Sequence, residues 1–167
     1  MSQRALVELI RGHGAHTDSV ECFRGLTREL AGRRHEGFPY TVWQLLGHVN
    51  YWIEYEMARV SKAAPTYPEH ASLSWPADPA PRDGAEWEAA VARFESLLEQ
   101  MARLAGSPEA VLNGPVPTTH ASQEGKDGTL LGVLWQTVVH NSYHLGQVAT
   151  LRRALGAWPP PSGSDTW

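Results

Sequence analysis

TLLGVLWQTVVHNSYHLGQVATLRRAL, residues 129–155, reads as one long amphipathic helix that opens at Thr129 and is closed by Gly156. Within it His140 and His144 stand four residues apart, about one helical turn, so both imidazoles leave the same face with backbones roughly 6 Å apart. A single metal ion requires that spacing. A zinc protease would carry a glutamate directly after the first histidine as its general base, and here that place is taken by Asn141. Protease chemistry is therefore disfavoured, and a metal site needs a third ligand from another element.

Working outward, Thr41-Val-Trp-Gln44 is a capping box behind Pro39, and Leu45, Val49, Trp52 and Val60 continue it as an apolar stripe of helical period, predicting a helix over 41–61. Residues 62–82 hold five prolines and no sustained period, so they form a long connection that wraps across one end of the fold. Asp83-Gly-Ala-Glu86 repeats the capping pattern, Trp87, Val91, Phe94, Leu98, Met101 and Leu104 follow at steps of three and four, and Gly106 stops a helix predicted over 84–105. A second polar connection, 107–128, leads to the histidine helix, and the tail after Gly156 is expected to be non-helical. Near the N-terminus, Leu6, Leu9, His13, His16, Val20, Phe23 and Thr27 share one stripe and predict a helix over 3–30, kinked at Gly12 and Gly14. Four amphipathic helices without a strand-period segment specify an all-α fold, a four-helix bundle with long crossover connections, in one domain spanning 1–167.

Composition narrows the function classes. A chain of 167 residues buries a core without needing a structural metal, and its net charge of −4 provides no basic stripe for nucleic acid. The sole cysteine, Cys22, permits no intrachain disulfide and is expected to be inert core. With no run of 18 apolar residues and no signal-peptide core, the expectation is a cytoplasmic protein with no membrane and no nucleic-acid partner. Seven tryptophans favour a well-filled core or an aromatic-walled pocket.

His48 shares the inner stripe of the second helix with Leu45, Trp52, Tyr55 and Arg59, while His140 and His144 lie at the edge of the apolar face of the fourth, beside Val133, Thr137 and Leu151. Bundle metal sites are built from inward residues on facing helices. Three neutral imidazoles suit zinc, nickel or another borderline divalent ion and leave a coordination position open; the alternative is three core histidines each held by a hydrogen bond. His16 is a candidate fourth ligand, acid/base group or hydrogen-bond partner of a ligand, and equally a packed core histidine. Trp52 and Tyr55 are pocket candidates, and Gln147, three residues after His144, either contacts a metal-bound ligand or faces solvent. Glu54 and Glu56 are potential bases by type, but the stripe runs through positions 48, 52, 55 and 59, with Glu56 only flanking it; His70 and His120 fall in the connections and are expected to be solvated.

Three segments, Tyr40-Thr-Val-Trp-Gln-Leu-Leu-Gly-His48, Trp75-Pro with Pro79-Ala-Pro81 and Trp87, and His140 through Gly156, together resemble the DinB-like four-helix-bundle proteins over nearly the whole chain. Relatives in that family include thiol-dependent S-transferases and mycothiol-dependent maleylpyruvate isomerases. The resemblance implies that His48, His140 and His144 bind a divalent metal and that the protein forms a homodimer. Two functions follow from it: a metal-dependent enzyme, transferase or hydrolase-like, acting on a small molecule or low-molecular-weight thiol, or a non-catalytic stress-response protein that binds metal or a small molecule.

Overall fold

The computed structural model describes residues 3–163, which form six α-helices and two short 3-10 turns and contain no strand. The α-helices are α1 (Gln3–Ile10), α2 (Arg28–Ala31), α3 (Val42–Val60), α4 (Gly84–Ala105), α5 (Glu109–Leu112) and α6 (Leu130–Ala154). The chain is thus all-helical. Helix α3 packs between α4 and α6, and α1 bridges α4 and α6. Leu46 and Ile53 from α3, Phe94 and Leu98 from α4, and Leu134 and Leu151 from α6 meet in one continuous core.

Local chemistry sets the ends of the long helices. The Thr41 hydroxyl oxygen accepts from the Gln44 backbone N–H and the Gln44 carboxamide oxygen accepts from the Thr41 N–H, both at 3.2 Å, which satisfies two of the N–H groups that α3 leaves open. Helix α4 starts on Asp83, whose carboxylate accepts from Glu86 N–H at 2.8 Å. The reciprocal half of that expected box is absent: the Glu86 carboxylate turns to Arg82, taking its backbone N–H and its guanidinium. Thr129 caps α6 by accepting from Gly132 N–H at 3.1 Å. After α6, Gly156 takes φ +69°, the left-handed conformation that ends a helix, and residues 157–163 are non-helical; 164–167 lie outside the described residues.

The helix predicted over 3–30 is not kinked but broken. Helix α1 ends at Ile10, Gly12 and Gly14 adopt φ +82° and +79°, and turns carry the chain to α2. A Cβ on Gly12 would overlap the His16 ring, so the turn itself requires glycine there. Asp18 then locks the turn: it accepts from Val20 N–H at 2.9 Å and pairs with Arg11 and His13, each at 2.9 Å. Val20 and Phe23 still reach the core, which is why the helical period persists on paper past the point where the helix ends. Phe23 lies edge-on to Phe94, with ring centroids 5.3 Å apart, and Trp87 anchors α4 by donating its indole N–H to Leu26 O at 2.9 Å.

Helix α6 differs from the amphipathic helix expected. It has no charged residue before Arg152, and Trp135, Val139 and Tyr143, one turn apart, are 45%, 53% and 65% exposed. Its apolar character therefore runs around most of the helix. Among the described residues no helix is long and apolar enough to cross a membrane.

Candidate metal centre

Where α3 crosses α6, His48, His140 and His144 converge, and a ring nitrogen of each lies within 4.8 Å of the others. The four-residue step on α6 places the Nε2 atoms of His140 and His144 3.2 Å apart. His48 approaches from α3 with its ring centroid 5.2 Å from that of His140 and 4.7 Å from that of His144. His48 and His144 are buried and His140 is half-buried.

The surrounding hydrogen bonds fix which nitrogens carry lone pairs. The Ser74 hydroxyl donates to Ala71 O at 2.7 Å, so its oxygen accepts from His48 Nδ1–H at 2.9 Å, leaving His48 Nε2 unprotonated. The Gln147 carboxamide oxygen, 2.8 Å from His144 Nδ1, accepts its proton in the same way and leaves His144 Nε2 unprotonated. Metal-binding histidines are held by this kind of partner. Burial, followed by the neighbouring imidazoles His144 and His140, pushes the His48 pKa down to about 3. Burial first and then His144 pushes that of His140 down to about 4, and burial lowers that of His144. His48 and His144 thus turn unprotonated Nε2 atoms to the centre, and three neutral imidazoles with no carboxylate among them match a borderline divalent ion, so the residues present fit the metal.

These shifts carry a stability prediction for the protein in the presence of a chelator. An unfolded imidazole takes up its proton near 6.5, whereas in the fold His48 waits until about 3 and His140 until about 4. Between those limits the unfolded chain binds more protons, so the stability contributed by the neutral histidines is complete above about 6.5 and is lost as the pH falls. The urea midpoint of the chelated protein should drop steadily from pH 7.5 to pH 5; a midpoint that is flat or rises on acidification contradicts this.

Beside the cluster lies a cleft of about 260 Å³ whose lining includes both His48 and His140. Trp52 and Tyr67, 5.5 Å apart, form its aromatic wall. Ser122, Gln123 and Lys126 border it from the connection ahead of α6, and Gln136 and Thr137 from α6 itself. Glu56 is the one carboxylate of the lining; burial raises its pKa, opposed by the charges of Arg59 and Lys126. Arg59, also buried, binds Glu56 and donates to Pro117 O at 3.0 Å.

Other sequence candidates fall around this centre rather than in it. His16 lies apart from the cluster: its Nδ1 bonds Thr17 O at 2.7 Å and its Nε2 meets the Ser142 hydroxyl at 3.2 Å, which pins the α1–α2 turn to α6. Its place on a helical stripe vanishes with the helix. Trp52 lines the cleft, but Tyr55 sits behind it, its hydroxyl bonded to Thr119 and to the Gln123 carboxamide nitrogen, the latter at 3.0 Å. Gln147 neither faces the cleft nor solvent alone; it orients His144. Asn141 is buried and lines no part of the cleft. Glu54 is spent on Arg93 at 2.7 Å, and His120, although exposed, stacks on Tyr67 with centroids 4.0 Å apart. Ser74, Tyr67, Ser122 and Lys126 carry no signal in the sequence, since all lie in the two connections where no period relates them to the three histidines.

No curated protein and no solved structure matches the chain. The pattern that defines the DinB superfamily matches residues 13–148, most of the chain, and spans all three histidines and the helices that present them. An all-helical chain with one histidine on α3 and an i, i+4 pair on α6, matched over that length, belongs to the DinB superfamily.

Proposed function

We propose that this protein is a metal-dependent enzyme acting on a small molecule, with zinc or nickel held by His48, His140 and His144. The carrying observation is that His48 and His140 belong at once to the three-nitrogen cluster and to the lining of the cleft, so one side of the donor set opens onto a space that admits a small ligand. A bound divalent ion supplies Lewis acidity, which lowers the pKa of a coordinated water or thiol. Trp52 and Tyr67 take up the apolar part of the substrate, and Lys126, Ser122 and Gln123 offer polar contacts at the rim. Glu56 is placed to accept or return a proton within the cleft. The reaction class this supports is thiol transfer to a small electrophile, or hydrolysis.

The test is turnover of a panel of electrophiles with low-molecular-weight thiols, and of ester and amide substrates, by zinc- and nickel-loaded protein and by His140→Ala. The proposal expects activity in the loaded wild type that falls at least about 100-fold in the variant, because removing even a hydrogen-bonding partner of a ligand costs about 10- to 100-fold. Metal lost from the variant with turnover unchanged would leave a binding protein in place of an enzyme.

A further inference from the structure

The connection between α3 and α4 is long and rich in proline, yet its middle is docked on the metal centre. Three contacts from the first turns of α3 hold it. The Thr41 hydroxyl donates to Pro79 O at 2.6 Å, the Gln44 carboxamide donates to Pro76 O at 3.0 Å, and Gly47 lies so close beneath Pro76 that a Cβ there would overlap the proline ring. Gly47 immediately precedes His48. Ala71–Ser74 forms a 3-10 turn that buries the Ser74 side chain, and the Ser74 oxygen accepts from His48 Nδ1. Trp75 then lays its ring flat on the His48 imidazole, centroids 3.8 Å apart and planes 13° from parallel. Its other face is covered by Tyr40 at 3.7 Å and 8°. The plane of the imidazole is set by the stack and its rotation within that plane by the Ser74 hydroxyl.

We propose that Ser74 and Trp75 are positioning residues of the metal centre, making the α3–α4 connection a clasp whose docking and metal binding stabilise each other. This rests on the reading of His48, His140 and His144 as metal ligands. If a docked clasp is what holds His48 in its binding orientation, the ion in turn favours the docked clasp by the same free energy, because coupling between two equilibria is reciprocal. Partners of metal-ligating histidines typically change metal affinity by about 10- to 100-fold when removed. A residue that merely fills space beside the site has no such coupling.

Two measurements test it. Zinc affinity by chelator competition should fall at least about 10-fold in Trp75→Leu and in Ser74→Ala, while Trp75→Phe, which keeps an aromatic face on the ring, should recover most of it. In the wild-type protein, zinc should slow hydrogen exchange of the amides of residues 70–78, and this protection should be missing in His48→Ala. Affinities within twofold of wild type in folded Trp75→Leu and Ser74→Ala overturn the proposal. So does exchange of 70–78 that zinc leaves unchanged, a result independent of whether the variants fold. Failure of the wild-type chain to bind zinc would instead remove the metal-centre reading and this inference with it.

Discussion

His140→Ala should lose tight binding of a divalent ion while keeping its helices. Two imidazoles, one from each of two helices, cannot fix an ion against water, and the expected loss exceeds the roughly 10- to 100-fold cost of disturbing only a partner of a ligand. The fold survives because its core is apolar and continuous without the site, and a chain of this length has no need of a structural metal. His140 is also half-buried at the edge of the core and lines the cleft, so truncation widens the cleft rather than opening a cavity among the core side chains. Metal content after gel filtration, read beside the far-ultraviolet circular dichroism spectrum, checks both halves. Retention of one equivalent of metal by the variant would contradict the ligand assignment.

Arg152→Met should destabilise the protein by about 3 kcal/mol or more, since each buried acceptor stripped of its partner costs about 1–3 kcal/mol. Arg152 is buried at the end of α6, where its guanidinium donates to Ala157 O at 2.9 Å, to Cys22 O at 2.7 Å and to Glu21 O at 3.3 Å. It thereby joins the end of α6, the turn after α1 and the segment leading to Trp158, over whose ring it sits at 5.6 Å. Methionine replaces the stem but none of the donors, so Cys22 O and Ala157 O lose the guanidinium together, while Glu21 O keeps the Arg24 N–H at 3.2 Å. For a chain of this size each kcal/mol moves the melting temperature by about 2–4 °C, so a fall of roughly 6–12 °C is expected. Urea unfolding measures it directly, and a loss below about 1 kcal/mol would show that water or neighbouring groups replace the guanidinium.

The parts of the fold legible in the sequence were those specified by short-range chemistry. Thr41, Asp83 and Thr129 each accept a backbone N–H three residues on, and the helices they open begin within a residue or two of the predicted starts. The N-terminal region defeated the same reading because Val20 and Phe23 remain core residues after Gly12 and Gly14 have ended the helix, so the apolar period outlives the hydrogen-bond ladder that it normally reports. His140 and His144 were legible because one turn of helix relates them, and His48 because it lies on the inner stripe of the helix facing them. Ser74 was not, and Trp75 stood out only within a segment that resembles the family, since a residue in an irregular connection reaches His48 only through the tertiary docking of Pro76 and Pro79 on α3. Gln147 shows the division within one residue: its spacing from His144 suggested proximity, while its role follows only from the bond to Nδ1.

On the reading proposed above, His48, His140 and His144 offer three neutral imidazole nitrogens to one divalent ion at the edge of an accessible cleft. X-ray absorption at the zinc edge of the stoichiometrically loaded protein tests it most directly, because imidazole rings give a multiple-scattering signature that carboxylates and water lack. The account predicts one zinc per chain with three imidazole scatterers, and an added small thiol entering the remaining coordination as a sulfur scatterer. A zinc environment of oxygen atoms alone, or fewer than two imidazoles, would contradict it.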